Sequence, residues 1–268
     1  MPLAAVCQLN SGPDHGKNLA QACELVTRAA ALGASLVSLP ENFELMASSA
    51  EKLAQAEALD GPTLTTLRDL ARALGITLLC GSFAEKAEDP TKVYNTSVVV
   101  GPDGAVLGIY RKIHLFDVEL NDGAKYHESE LVIPGGDAVT AETALGRLGM
   151  SVCYDLRFPE LYRRLSSAGA LLLSVPAAFT LMTGKDHWEV LLRARAIENQ
   201  CYVIAAAQHG SHPGNRLTYG HSMIVDPRGT VLCCCPDGPG VAVAEIDKTA
   251  LTRVRAALPA LKHRRLDV

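Results

Sequence analysis

The sequence predicts an α/β fold in which large mixed sheets are covered by helices. Short β-branched or leucine-rich runs alternate with longer helical periodicities through much of the chain, and two or three strand-like runs follow one another near the middle. The chain has 268 residues, of which 48% are apolar, so it is long enough to bury a large core. We find no internal repeat and no linker rich in Pro, Gly or Ser, and therefore expect one domain over residues 1–268.

The first half of the chain is predicted to alternate strand and helix and then to form a hairpin. The predicted strands are residues 6–9, 36–39, 76–83, 93–100 and 105–111. A helix over residues 14–31 is followed by Gly33, which is placed to stop it, and a second helix runs from Pro62 to about Gly75. The turn at residues 101–104 (GPDG) joins the last two strands.

The second half returns to alternation and ends in a meander. Strands are predicted over residues 148–154, 171–175, 202–206, 222–225, 231–235 and 241–246. Helices are predicted over residues 159–168 and 186–199, and Asp247 is placed to cap a short last helix. For the helix 186–199, Asp186 with Glu189 suggests a capping box. Its predicted apolar stripe is Val190, Leu191, Ala194 and Ile197.

Composition argues against several classes of protein. The formal net charge is −4 and the basic residues are dispersed, so a nucleic-acid-binding face is not expected. No apolar run approaches the roughly 20 residues of a bilayer span. The N-terminus has no basic region and no cleavage-site pattern. Most of the eight cysteines lie in apolar runs, which favours reduced thiols in a cytoplasmic protein.

Three chemically capable residues follow predicted strands. Glu41 comes after strand 36–39, Lys112 after strand 105–111, and Cys153 near the end of strand 148–154. Ligand sites in α/β sheets lie beyond the carboxyl ends of strands. Position alone does not decide their role, because a solvated carboxylate, an edge lysine and a buried thiol are all common.

The strings around these residues resemble the nitrilase superfamily of carbon–nitrogen hydrolases. They are LPENF at residues 39–43, YRKIHLF at 110–116 and VCYDLRFPE at 152–160, in the family's order. The resemblance implies a four-layer αββα sandwich and a Glu-Lys-Cys site that needs neither a metal nor an organic cofactor. It also implies a second carboxylate near the lysine, which Glu128 matches in the string YHES at 126–129.

These residue types together suit hydrolysis of an amide through a thioester. Glu41 is expected to take the proton of Cys153 as the sulfur attacks, and burial is expected to raise the pKa of Glu41 towards neutrality. Lys112 and the backbone N–H of Tyr154 are the expected donors to the oxyanion. Glu128 is expected to orient Lys112 and the leaving nitrogen.

Within the superfamily, the chain most resembles the deaminated glutathione amidases. The matching strings are residues 114–120, 187–198, 200–208 and 219–227, whereas Arg228 and the loop after Phe43 depart from the pattern. The implied substrate is a small amide with carboxylate ends, for which Arg157 and Thr180 are the preferred binding residues. The other candidates considered are Lys185, Arg195 and Arg216. We expect Arg195 to form an ion pair or an internal strut near Glu198 instead.

Other functions stay open at this point. An ω-amidase acting on keto acid amides and an N-carbamoyl amino acid hydrolase are alternatives within the superfamily. Outside it, Cys153 could pair with a histidine; the candidates are residues 114, 127, 187, 209, 212 and 221. A metal site from His209, His212 and residues 233–235, and a binding module without catalysis, are weaker alternatives. The resemblance also implies a homodimer or higher homo-oligomer that pairs through helices 159–168 and 186–199.

Overall fold

The fold consists of seventeen strands and six α-helices in the residues described by a computed structural model, 1–119 and 125–266. The strands are β1 Leu3–Gln8, β2 Ala34–Ser38, β3 Thr77–Leu79, β4 Phe83–Lys86, β5 Val93–Val100, β6 Val106–Arg111, β7 Asp117–Glu119, β8 Lys125–His127, β9 Thr140–Thr143, β10 Gly146–Gly149, β11 Leu172–Ser174, β12 Tyr202–Ala205, β13 His209–His212, β14 Arg216–Tyr219, β15 Met223–Val225, β16 Val231–Cys234 and β17 Gly240–Glu245. The helices are α1 His15–Ala31, α2 Ser49–Gln55, α3 Pro62–Leu74, α4 Pro159–Ser167, α5 Leu181–Asn199 and α6 Lys248–Ala257. Residue 120, the last of the string 114–120, lies outside the described residues.

Two mixed sheets lie face to face between two layers of helices. The first sheet has the order β17-β1-β2-β3-β5-β4, with β6 also paired to β5, and the second has the order β16-β15-β12-β11-β10-β9. Helices α1 and α3 pack on the first sheet, α4 and α5 pack on the second, and β1 contacts β12 and β15 across the interface. One apolar cluster fills the space between the sheets and a second lies under α1 and α3. The four-layer αββα prediction is confirmed.

Local signals in the sequence fix several element ends. Asp14 accepts a hydrogen bond from the N–H of Lys17 at the start of α1, and Asp247 caps α6 in the same way. Gly75 ends α3 with a φ of +64°, a left-handed conformation that glycine adopts without steric cost. Such short-range chemistry is readable in sequence because cap and helix are neighbours in the chain.

The prediction of one strand over residues 76–83 is wrong. The segment divides into β3 and β4, and Gly81 lies between them with a φ of +53°. A Cβ atom at Gly81 would lie 2.0 Å from the carbonyl oxygen of Pro40, so only glycine fits there. The interruption therefore lets the segment that carries Glu41 pass close to the sheet.

The predicted start and buried face of helix 186–199 are also wrong. Helix α5 begins at Leu181, so Asp186 lies inside it and is not a cap. The buried residues of α5 include Trp188, Leu192 and Ala196, whereas Val190 and Ile197 of the predicted stripe are 66% and 50% exposed. Burial against the second sheet, rather than the helix's own periodicity, selects the inner face.

Further differences concern short elements near the site. Helix α2 was not predicted, and the strand expected over 148–154 stops at Gly149. No helix within residues 1–119 and 125–266 is both long and apolar enough for a bilayer span.

Candidate active site

Glu41, Lys112 and Cys153 lie together at the ends of strands from both sheets. Glu41 follows β2 after two residues, Lys112 follows β6 directly, and Cys153 begins a short 3-10 turn after β10. The Nζ atom of Lys112 is 3.0 Å from Oε1 of Glu41, and the Cys153 thiol lies close enough to the same carboxylate for the two groups to shift each other's pKa. The three residues are at most 8% exposed, so water screens their charges weakly.

Glu128 and Asn95 complete the polar cluster. Lys112 Nζ is 2.8 Å from Glu128 Oε2, which also accepts a 2.7 Å hydrogen bond from the N–H of Phe116. The Asn95 amide donates to both carboxylates, at 2.9 Å to Glu41 and 3.1 Å to Glu128. Lys112 is thus held between Glu41 and Glu128, and the neutral amide of Asn95 donates to both carboxylates as well.

Burial and pairing together set the ionisation of the three groups. Burial raises the pKa of Glu41, but the charge of Lys112 and hydrogen bonds from Cys153, Lys112 and the N–H of Ala178 bring that pKa below its ordinary value. Burial and the Glu41 carboxylate raise the pKa of Cys153 well above its ordinary value. Burial lowers the pKa of Lys112, yet Glu128 and Glu41 raise it well above its usual range. The resting site therefore contains a thiol, a carboxylate and an ammonium, and the expected upward shift at Glu41 is wrong.

Asp155 fixes the turn that presents Cys153. Its fully buried carboxylate accepts hydrogen bonds from the N–H of Val152 at 2.8 Å and from the hydroxyl of Tyr110 at 2.7 Å. Cys153 has a φ of +48°, which is unusual for a residue with a side chain, and its N–H donates to the carbonyl of Pro176 at 2.8 Å. Since Tyr154 lies in the first turn of the 3-10 helix, its N–H has no partner within that helix.

A cavity of about 320 Å³ opens onto the cluster. Tyr154, Arg157 and Thr180 all line it, together with Glu41, Lys112, Glu128 and Cys153. The Arg157 guanidinium lies 5.1 Å from the ring centroid of Phe179 and 5.9 Å from that of Tyr154. The volume suits a ligand of small to medium size, and the charged lining suits a polar one.

His114, one of the alternative partners of Cys153, is engaged elsewhere. His114 Nδ1 is 2.7 Å from Asp155 Oδ1, and its ring stacks on Phe158. His127 is the one histidine among the described residues that line the cavity. In residues 1–119 and 125–266, no group of three or more His, Cys, Asp or Glu side chains is arranged to hold a metal ion.

The comparisons with known proteins agree with this geometry. The family model for carbon-nitrogen hydrolases matches residues 3–256. The chain belongs to the carbon–nitrogen hydrolase family. It is 49% identical over 265 residues to a deaminated glutathione amidase of Synechocystis sp., covering 98% of this chain and 97% of that one. It is 48% identical to the human deaminated glutathione amidase, covering 100% of this chain and 84% of the relative. The crystal structure of the C. elegans NitFhit protein superposes with a TM-score of 0.93 at 42% identity, covering 98% of this chain and 65% of that chain.

This carbon–nitrogen hydrolase also contains residues that sequence reasoning missed. Asn95 lies within strand β5, where asparagine is disfavoured, and that anomaly was a usable signal. Asp155 lies inside a family string but was given no role. Arg195 was predicted correctly as a strut, since it is 5% exposed and donates to Glu198 and to the carbonyl of Leu156.

Glu44 is a buried carboxyl group whose ionisation should cost stability. It is 6% exposed, Oε1 accepts from the N–H of Ala84, and Oε2 has no partner in the described part of the chain. Burial raises its pKa to about 7. Because the folded state then holds this proton more tightly than the unfolded state, wild-type stability falls as pH rises from about 4.5 to 7.

Glu44→Gln should therefore stabilise the protein at alkaline pH. Glutamine keeps the acceptor for Ala84 and has no charge to desolvate, so we expect a gain of up to about 3 kcal/mol at pH 8. The gain should shrink towards pH 4. Urea unfolding of both proteins at the two pH values measures it, and a wild type more stable than the variant at pH 8 would contradict the assignment.

Proposed function

We propose that this protein is an amidase that hydrolyses the amide bond of deaminated glutathione through a thioester on Cys153. The observation that carries the proposal is the buried contact of Cys153, Glu41 and Lys112 beside a cavity with a cationic lining. High identity to relatives named for this activity supports the choice of substrate.

The first half-reaction is acylation of the sulfur. Glu41 is ionised and Cys153 is protonated at rest, so the proton passes to Glu41 as the sulfur attacks the carbonyl. Lys112 and the N–H of Tyr154 donate to the oxyanion that forms. The protonated Glu41 then gives its proton to the departing nitrogen, which Glu128 helps to orient through Lys112.

The second half-reaction is hydrolysis of the thioester. Glu41 is again a carboxylate after the amine leaves, and it removes a proton from the attacking water. Lys112 and the N–H of Tyr154 stabilise the second oxyanion as well, because the second tetrahedral centre occupies the same position as the first. Collapse of that centre releases the acid and returns the proton to sulfur. Apart from the substrate and one water, each half-reaction uses only groups that the chain itself supplies.

Arg157 and Thr180 are our proposed contacts for the acyl part of the substrate. Arg157 lies four residues beyond the nucleophile and lines the cavity between two aromatic rings. Thr180 is 9% exposed, and its hydroxyl is 2.6 Å from that of Thr183. A guanidinium and a hydroxyl at this place can bind the 2-oxo acid end of the acyl group.

The substrate proposal predicts a strong preference between two amides. Deaminated glutathione should be hydrolysed with a kcat/KM at least a hundredfold above that of α-ketoglutaramate, because only the larger amide can contact the rest of the cavity. A hundredfold ratio requires about 2.7 kcal/mol of differential transition-state binding. Steady-state kinetics with mass-spectrometric detection of the shared product acid measures both values.

The same experiment distinguishes the alternatives. Equal or reversed values would assign the protein to the ω-amidases. Turnover of an N-carbamoyl amino acid above both amides would assign it to the carbamoyl hydrolases. The Cys153→Ala protein is the blank for background hydrolysis.

We also propose that the protein forms a homodimer through α4 and α5. The outer face of α5 exposes Val190 and Ile197, which are large apolar side chains that a partner would cover. Light scattering at micromolar concentration should give twice the chain mass of 28.5 kDa. Val190→Arg should shift the mass towards the monomer, whereas Val106→Lys, on exposed β6, should not. A monomeric wild type would contradict the proposal.

A cytoplasmic location is the last part of the proposal. All eight cysteines are free, and five of them are buried, namely Cys7, Cys80, Cys153, Cys201 and Cys235. Reduced thiols of this kind are typical of the cytoplasm, and Cys153 must stay reduced to act as a nucleophile.

A further inference from the structure

The segment after Phe43 forms one wall of the cavity. Met46, Ala47, Ser49 and Lys52 of this segment, which includes α2, line the space beside the polar cluster. Asn42 holds α2 to the site, since its Oδ1 accepts a 2.9 Å hydrogen bond from Lys52 Nζ. Asn42 does so from a left-handed conformation with a φ of +51°, which asparagine tolerates better than most residues. Lys52 is therefore a positioned side chain rather than a free surface lysine.

Arg216 of β14 is a second cation that lines the cavity near Lys52. It is half-buried, and its guanidinium lies 6.0 Å from the ring centroid of Tyr126. The ion pairs among residues 1–119 and 125–266 include neither Lys52 nor Arg216. Burial lowers the pKa of Lys52 and Arg216 lowers it further, whereas the charges of Glu44, Glu41 and Glu128 act in the opposite direction. A lysine and an arginine that line the same partly buried wall can together bind an anionic ligand.

This cation pair lies on the Glu128 side of the site. The charges of Glu41 and Glu128 act on Lys52, and the Tyr126 ring under Arg216 is two residues from Glu128. Arg157 instead lies against Tyr154 and Phe179, next to the nucleophile. Lys52 and Arg216 thus lie apart from Arg157 in the cavity, which Lys112 and Lys125 also line.

The proposed substrate has a matching distribution of charge. Deaminated glutathione has one carboxylate on the 2-oxo acyl part and a second on the glycine at the far end of the leaving dipeptide. The acyl part stays on Cys153 when the amide bond breaks, and the dipeptide departs from the side on which Glu128 orients the leaving nitrogen.

We propose that Lys52 and Arg216 form the binding site for the glycine carboxylate of the leaving dipeptide. This inference rests on the proposed function and adds to it the residues that distinguish a dipeptide amide from a simple amide. The site is part of the substrate-binding surface and takes no part in the chemical steps. Its contribution is made equally to substrate and transition state, so its loss should raise KM more than it lowers kcat.

Three substrates and two variants test the site. Lys52→Met and Arg216→Gln should each lower kcat/KM for deaminated glutathione by at least tenfold, mainly through KM. Both should stay within twofold of wild type on α-ketoglutaramate, which releases ammonia and has no second carboxylate. The third substrate is an analogue in which a carboxamide replaces the glycine carboxylate. The kcat/KM of wild type should be lower on this analogue than on deaminated glutathione by a similar factor. On the analogue, Lys52→Met should have the same kcat/KM as wild type.

A matched control and a binding measurement separate recognition from general electrostatics. Lys86→Met removes a positive charge from the exposed end of β4, outside the cavity lining, and should leave all three substrates unaffected. Calorimetric titration of deaminated glutathione into Cys153→Ala should give a Kd that Lys52→Met raises by at least tenfold.

The outcomes distinguish failure of this site from failure of the proposed function. Suppose that wild type prefers deaminated glutathione. If the two variants then lose kcat/KM equally on all three substrates, or lose none on deaminated glutathione, the carboxylate site alone is overturned. A wild type that hydrolyses α-ketoglutaramate but not deaminated glutathione would reject the proposed function and this site with it.

Discussion

Cys153→Ala should lose at least about 10⁴-fold in kcat while the fold stays intact, because no other group can form the thioester. Removal of one sulfur from a buried site leaves a small void, whose cost is on the order of 1 kcal/mol. Steady-state turnover of deaminated glutathione and a thermal melt measure the two effects separately. The expected result is an inactive protein whose melting temperature is close to that of wild type.

Cys201→Ala is the matched control for this prediction. Cys201 is also fully buried, and its sulfur lies 3.3 Å from a guanidinium nitrogen of Arg255, away from the cavity. The Cys201→Ala protein should keep the activity of wild type. If Cys153→Ala hydrolyses the amide at a rate near that of wild type, the role proposed for Cys153 is wrong, and a pair of Cys153 with a histidine is excluded as well.

Glu41→Gln should lose about 10³-fold or more in kcat, because both half-reactions need a group that takes and returns a proton. The substitution removes a charge and also disturbs the hydrogen bonds that the neighbours of the carboxylate donate to it. Lys112, Asn95 and the N–H of Ala178 all donate to it, so a glutamine NH₂ group must face a donor. We therefore expect a modest fall in melting temperature as well.

Glu57→Gln is the matched control, because it makes the same substitution at a glutamate that has a structural role. Glu57 accepts from the N–H and hydroxyl of Thr63 at the start of α3, outside the cavity lining. The Glu57→Gln substitution should lower the stability of the protein slightly and leave kcat unchanged. Near-normal kcat in Glu41→Gln would require a different general base.

The parts of the fold that were predicted well depend on neighbours in the chain. The alternation of strands and helices, the cap at Asp247 and the stop at Gly75 all follow from local chemistry. The break at Gly81 depends instead on the carbonyl of Pro40, about forty residues away in the sequence. The inner face of α5 likewise depends on the sheet beneath it. Contacts of this kind leave no periodic trace in a single sequence.

The candidate site shows the same division. The strings around Glu41, Lys112 and Cys153 were enough to single out these residues, but not to give their charges. The sequence suggested that burial would raise the pKa of Glu41, and burial does act in that direction. The opposing charge of Lys112 and three hydrogen bonds reverse the net shift, and they come from residues distant in sequence. The left-handed conformation of Cys153 could not be predicted either, since it depends on Pro176 and Asp155.

The most direct test of the account is to trap the covalent intermediate. Wild-type protein mixed with deaminated glutathione should be quenched with acid within the first turnover, digested, and analysed by mass spectrometry. The peptide that contains Cys153 should gain one 2-oxoglutaryl group in place of a hydrogen, and neutral hydroxylamine should remove it, as expected for a thioester. The same treatment of Cys153→Ala should give no labelled peptide. An acyl group found on another residue, or full turnover with no acylated peptide at any quench time, would contradict catalysis by Cys153.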